Sequence, residues 1–270
     1  MQDQNTLKIV TLNMGRGFPG FDRMRQFLAE QNPDVLLLQD VRADHISAFP
    51  AVFGPSVHFA PMCRHFFQGG IGWVPVGVAI CSKHPLNNLA SRAYVGNVLP
   101  VQDLAGTAFD DKGASYATDL DMVRQTESRI AIFADVVVPD CIAIRIGTTH
   151  GVWTPGGKVD DHQRRSMRVL RRIMEEELFD GGVVAGDFNA HISGEIGQVL
   201  NESSGYGYRM PHDIVTTVDW VMRGKSGPNL PNLVVDHIYA TYVTVAGQRV
   251  HFGVSDHAAL SFEVSLVPTI

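Results

Sequence analysis

Val35-Leu36-Leu37-Leu38 and Val183-Val184-Ala185 constrain this chain most: each is an unbroken apolar run of strand length with no polar side to turn to water. Strands of that kind must be covered on both faces, which points to sheets lying inside a layered α/β domain. The rest of the pattern agrees. Leu7-Lys8-Ile9-Val10-Thr11-Leu12 alternates apolar and polar as a strand does, and Phe21, Met24, Phe27 and Leu28 then recur at helical spacing. From Asp160 to Phe179 the period is again helical, with Met167, Leu170, Met174 and Leu178 on one stripe and five arginines elsewhere. Further strands are expected over Val76–Cys81, Ile130–Val138, Cys141–Ile146, Leu233–Tyr239 and Ala258–Val264. Strands interspersed with helices, some joined as hairpins, favour a mixed sheet over a purely parallel one. Arg64–Pro75, Asn87–Glu127 and Asn201–Asn232 lack a regular pattern and are expected to be long loops, a kind that is usually functional or disordered.

With 270 residues, 45% of them hydrophobic, the chain can bury a substantial core, and one domain over residues 1–270 is expected. Cys63, Cys81 and Cys141 are odd in number and show no paired spacing, so reduced thiols are expected rather than a disulfide framework or zinc knuckle. No stretch approaches the ~20 apolar residues needed to span a bilayer, and the first residues carry no basic-then-apolar leader. A soluble, cytoplasmic monomer is the expectation. The net charge of −6 argues against holding nucleic acid by charge alone, without excluding it as substrate.

Chemistry-bearing residues collect where the expected strands stop: Asn13 after Leu12, Gln39-Asp40 after Leu38, His150 after Thr149, Gly186-Asp187-Phe188-Asn189 after Ala185, and Ser255-Asp256-His257 before Ala258. Singly, these are ordinary turn formers and caps. Jointly they supply what phosphoester hydrolysis needs: a hard cation, a base for water, and donors for charge developing on oxygen. Asp40, Asp187 and Asp256 are carboxylates of the kind that bind Mg²⁺ or Mn²⁺, and Asn13 can add an amide oxygen. His257 can take a proton near neutral pH, with Asp236 as the partner that fixes its tautomer. Asn189 can donate to a phosphate oxygen, and His150 can bind phosphate or assist the leaving oxygen.

The order Asn13, Gln39-Asp40, Gly77-Val78-Ala79-Ile80, Thr149-His150, Gly186-Asp187-Phe188-Asn189, Asp236-His237-Ile238 and Ser255-Asp256-His257 resembles the endonuclease/exonuclease/phosphatase (DNase I-like) superfamily from residue 8 to about residue 262. The resemblance implies a four-layer α/β/β/α sandwich of two packed mixed sheets, with the site at one end. It implies that Asn13 and Asp40 help hold a Mg²⁺ or Mn²⁺ ion with Asp256 beside it, that Asp187 and Asn189 position water and phosphate, and that His257 with Asp236 forms the acid/base pair. His150 matches a second histidine of many members, and whether Asp187 or His257 takes the water's proton stays open. One departure stands out: members usually carry Glu after the Gln, and Asp40 withdraws the carboxylate by one carbon, about 1.5 Å.

Arg129 stands where several relatives place a basic residue, and Lys158 and His162, just past His150, are candidates for a substrate phosphate. Trp73, with Phe66 and Phe67 in a glycine-rich stretch, is a candidate for stacking on a base. The expected function is therefore a divalent-metal-dependent phosphodiester hydrolase, nuclease-type first. The alternatives are a phosphatase or phosphodiesterase of small, inositol or lipid phosphoesters, or an inactive binding module.

Overall fold

The computed structural model describes residues 6–17, 20–49, 56–67, 71–109, 115–155, 158–191, 194–201, 207–210, 213–225 and 231–269. Two βαβ crossovers organise it. In the first, β1 (Thr6–Asn13) runs through α1 (Phe21–Gln31) to β2 (Val35–Arg42), which lies parallel to β1. In the second, β9 (Ile144–Thr149) runs through α4 (Asp161–Glu177) to β10 (Gly182–Asp187), again parallel. A parallel pair joined by a helix brings both carboxyl ends to the same edge of its sheet, and such ends are where ligands collect in α/β folds.

Each pair sits near the middle of a six-stranded mixed sheet whose other pairings are antiparallel. In the first the order is β13 (Val245–His251), β14 (Ala259–Ser265), β1, β2, β4 (Gly72–Ser82), β3 (Ser56–Phe67). In the second it is β11 (Gly207–Tyr208), β12 (Asp236–Thr241), β10, β9, β8 (Arg129–Val136), β5 (Leu86–Val95). The sheets pack face to face through Ile9, Val35, Leu37 and Val78 on one side and Ile132, Ile146, Val183 and Ile238 on the other, all buried. The alternate residues face outward. Leu12, Leu36 and Leu38 pack with Met24 and Leu28 of α1, while Phe133, Val184 and Tyr239 pack with Met167, Leu170 and Met174 of α4. The result is the expected α/β/β/α sandwich.

Strand parity also builds the site. The faces that place Ile9, Val35, Ile146, Val183 and Ile238 between the sheets place Asn13, Gln39, Thr148, Asp187 and Asp236 there too, at the end of the layer. Gln39 spans the gap, its Nε2 donating to Thr11 Oγ1 at 3.0 Å in its own sheet and to Thr148 Oγ1 at 2.8 Å in the other.

Several sequence expectations need correcting. Four strands without a sequence signal, β3, β5, β11 and β13, are the edges of the two six-stranded sheets, and along β5 and β13 the apolar alternation fades. Arg64–Pro75 is mostly the two arms of the β3–β4 hairpin, with Phe66 paired opposite Trp73. The Asn87–Glu127 segment holds β5, the short ribbon β6 (Thr107–Phe109) and β7 (Ser115–Ala117), and helix α3 (Leu120–Thr126). Strand β9 begins at Ile144 rather than Cys141, and β12 at Asp236 rather than Leu233. The acidic end of α4 has a structural reason: Glu177 pairs with Arg92 of β5 at 2.7 Å and with Arg145 of β9, tying the helix to its sheet. The three cysteines are free, two of them buried, and no helix among the described residues is long and apolar enough to cross a membrane.

His237, beside Asp236, points to the opposite side and is buried against Phe188 and Tyr239, with Nε2 2.6 Å from the Ala190 carbonyl. Burial pushes its pKa down to about 4, despite the opposing carbonyl contact. The folded protein thus refuses a proton that the unfolded chain accepts near pH 6.5, so this stability is complete above pH 6.5 and is lost as pH falls toward 4. Urea unfolding between pH 7 and 5 should show this slope, at most about 1.4 kcal/mol per pH unit for one histidine, and His237→Gln should flatten it. Equal slopes in the two proteins would contradict the assignment.

Candidate active site

The end of the inter-sheet layer is a chain of hydrogen bonds centred on Asp187. Its Oδ2 accepts from Asn13 Nδ2 across the sheets at 2.9 Å, and its Oδ1 accepts the Asn189 backbone N–H at 2.7 Å. That second bond is a local Asx turn, and it accompanies a left-handed backbone at Asn189 (φ 52), a conformation asparagine tolerates well. The Asn189 amide donates to the Gly151 carbonyl at 3.0 Å, joining the turns after β9 and β10. Gly151 is required there, because a Cβ would lie 2.0 Å from the Phe188 carbonyl oxygen.

Two histidines flank Asp187, at 3.5 Å (His150 Nε2) and 3.7 Å (His257 Nδ1) from its Oδ2. Their environments pull them apart. Burial, then Arg129, pushes His150 down to about 4, against the pull of Asp187 and Asp40. Burial also disfavours charge on His257, but Asp236 and then Asp187 outweigh it and raise His257 to about 10. Asp236 Oδ2 lies 2.9 Å from His257 Nδ1. The segment after Ile214 sets this geometry: Thr217 Oγ1 accepts the Val235 and Asp236 N–H groups, and Val218 bridges His257.

Arg223 Nη2 lies 2.9 Å from His257 Nε2 and 3.2 Å from Asp256 Oδ2. A guanidinium only donates, so its contact with Nε2 belongs to the neutral imidazole. The two carboxylates favour the charged ring, and Asp256 offers Arg223 its alternative acceptor.

Asp40 explains its own departure from the expected Glu. A bulge between Leu38 and Val41 puts it in the left-handed region (φ 48), where Asp is accommodated more readily than longer side chains. Its two oxygens face Arg16 Nε at 3.2 and 3.1 Å. Burial raises the Asp40 pKa, but Arg16, with His150 and His65, more than offsets this and holds the carboxyl below its ordinary range. Arg16 Nη1 also lies 3.1 Å from His65 Nε2.

These groups line one cleft of about 890 Å³. Asn13, Asp40, His150, Asp187, Asn189, Asp256 and His257 all face it, and Asp236 stands behind His257. Arg129 and His162 reach its wall, whereas Trp73 and Lys158 do not. Trp73 packs edge-on to Phe66, 5.5 Å away; its neighbour in the hairpin, Phe67, turns to the cleft because successive strand residues alternate sides. The cleft's tryptophan is Trp153. Sequence reasoning missed Arg16, Arg223, His65 and Trp153; of these, Arg16 carried a signal, lying three residues past Asn13 in a glycine-rich turn.

Asn13, Asp40 and Asp256 present an amide and two carboxylates to the cleft beside Asp187, the oxygen chemistry that Mg²⁺ or Mn²⁺ takes. Gly15 packs against Asp256 so closely that a Cβ would fall 2.7 Å from Oδ1, which keeps the β1 loop and this carboxylate together. Ligand atoms of Asp187, Asp236 and His257 also lie within 4.8 Å of one another. Asp236 and His257 are already bonded to each other, so that cluster handles protons better than it cages an ion. The residues therefore fit a divalent ion held by Asn13, Asp40 and Asp256, with Arg16 and Arg223 as competing cations.

The family model described as the Endonuclease/Exonuclease/phosphatase family matches residues 10–257. No curated protein matches the chain. Among solved structures, an endonuclease/exonuclease/phosphatase from Beutenbergia cavernae is similar at TM-score 0.70 and 15% identity, over 97% of this chain and 72% of that one. Sphingomyelinase C from Streptomyces griseocarneus gives 0.58 and 14%, over 96% and 99%. A mannosyl-6-phosphatase from Bacteroides thetaiotaomicron gives 0.60 and 12%, over 96% and 99%. At these identities the likeness is one of fold.

Two measurements follow from the geometry. Asp236→Asn removes the main charge that raises His257, so the His257 pKa, followed by NMR, should fall by about 2 units; an unchanged value would mean that Asp236 does not set it. Arg16→Gln frees Asp40 and removes a nearby positive charge, so calorimetric Mn²⁺ affinity should rise severalfold. Unchanged or weaker binding would show that Asp40 does not face the ion.

Proposed function

The chain belongs to the Endonuclease/Exonuclease/phosphatase family, and from that premise we propose that it is a divalent-metal-dependent phosphoester hydrolase acting at the floor of this cleft. The observation that carries the reading is Asp187, hydrogen-bonded to Asn13 from the other sheet and flanked by two histidines with opposite pKa shifts. Titratable groups driven apart in this way divide acid and base roles between them. His257, held charged by Asp236, offers a proton at Nε2 to a phosphoryl or leaving oxygen once Arg223 turns to Asp256. His150, held neutral, keeps a nitrogen able to accept a proton; its Nδ1 has no partner among the described residues. Asp187, with both oxygens engaged, orients these groups. Asn189 can spend its second amide hydrogen on phosphate. A divalent ion held by Asn13, Asp40 and Asp256 would supply Lewis acidity at a phosphoryl oxygen.

Within this class, the walls of the cleft favour a compact phosphoester over the nuclease-type substrate that sequence ranks first. Leu104, Leu120 and Val123 form one side, and that segment is tied down at both ends. Arg64 Nε pairs with Asp103 at 2.7 Å, and Arg124 pairs with Asp160 at the start of α4. That two structural neighbours are named as a sphingomyelinase C and a mannosyl-6-phosphatase supports weighing small and lipid-borne phosphoesters.

Hydrolysis of 4-nitrophenyl phosphate, its bis ester, choline-type phosphoesters and oligonucleotides with Mg²⁺ or Mn²⁺ tests the reading. Turnover should vanish in EDTA and fall at least about a hundredfold in Asp187→Ala and His257→Ala. Activity that survives both substitutions would place the chemistry elsewhere.

A further inference from the structure

We propose that the cleft holds a second anion subsite, built by Arg124, Arg129 and His162, so that its preferred substrates carry a phosphate group in addition to the one hydrolysed. This rests on the phosphoester-hydrolase reading and narrows its substrate class. The protein is acidic overall, at −6, yet the cleft is lined by Arg16, Arg42, Arg124, Arg129, Arg223 and Lys225 against four carboxylates. Arg16 and Arg223 are engaged at the inner end by Asp40 and Asp256. The cations of the outer wall have no such role in the reaction.

Three separate elements bring that outer wall together: α3 carries Arg124, β8 starts with Arg129, and the first turn of α4 carries His162. Arg129 opposes charge on both His150 and His162, Arg124 opposes it on His162 as well, and all three side chains line the same cleft as Asp187. Arg124 is tethered through Nη2 to Asp160, and Arg129 through Nη2 to Glu127 at 2.6 Å and through Nη1 to the His150 carbonyl at 3.5 Å. A guanidinium has five donors, so these tethers fix its orientation and still leave donors for a ligand. In Arg124, Nε has no acceptor among the described residues. Val123, Val152 and Trp153 line the cleft too, an apolar surface for the body of a small substrate.

The test has two arms. In metal-free buffer, inorganic phosphate is titrated into the wild type, Arg124→Gln and His162→Gln, with the His162 and His257 imidazole resonances followed by NMR. The His162 resonance should shift saturably, with affinity about tenfold weaker in Arg124→Gln, and His162→Gln should weaken phosphate binding followed by calorimetry. In the second arm, thymidine 5′-(4-nitrophenyl phosphate) is compared with its 3′-phosphorylated counterpart in Mg²⁺ or Mn²⁺. The second phosphate should lower KM in the wild type with kcat little changed, and Arg124→Gln should abolish that difference. A His162 resonance indifferent to phosphate, or equal KM values for the two esters in the wild type, would overturn the proposal. Failure to hydrolyse either ester would count against the hydrolase reading instead, and the phosphate titration alone would then decide the subsite.

Discussion

The hydrogen bond from Asn13 to Asp187 is the contact on which the rest of the site depends, because it joins two sheets that meet mostly through hydrocarbon. Apolar packing is non-directional and sets no register between the sheets to better than a side chain's width. Polar groups at the end of the layer do. With Asn13–Asp187 and the Gln39 bridge to Thr148, the two βαβ units are pinned where their carboxyl ends oppose each other. Were those groups left unpaired at this depth, each would carry a desolvation penalty, so the same bonds that align the sheets also make the buried end tolerable.

From that alignment the electrostatics follow. Burial alone would drive both histidines neutral; Asp236 at hydrogen-bond distance, with Asp187, reverses this at His257, while Arg129 reinforces it at His150. Arg16 and Arg223 extend the logic outward: each holds a carboxylate that would otherwise face its neighbours without compensation. A phosphate or a divalent ion entering the cleft therefore rearranges existing ion pairs instead of meeting bare charges.

Much of this was legible in sequence, for a physical reason. Strands buried on both faces are unbroken apolar runs, and a polar residue that ends such a run must lie at the end of the layer. Asn13, Asp40, His150 and Asp187 were visible on those terms, whereas Asp236 is expected inside the strand that in fact begins with it. Edge strands were not, since β3, β5, β11 and β13 carry no unbroken apolar run, and the sequence pattern leaves them unassigned or, in part, reads as loop. Pairings across the fold were equally hidden. That Asp40 meets Arg16 depends on a bulge and a left-handed residue, and that Phe67 rather than Trp73 faces the cleft depends on hairpin register. His237 illustrates the converse: one of two adjacent polar residues had to point inward with a partner, yet both are buried, on opposite sides of the strand.

The central claim is that these strand ends act as one unit across two sheets. A double-mutant cycle on kcat/KM for phosphoester hydrolysis, pairing Asn13→Ala from one sheet with Asp187→Ala from the other, tests it most directly. If the unit is real, the double variant is scarcely worse than the more damaged single one. Losses that multiply, as they do for independent positions, would contradict the account.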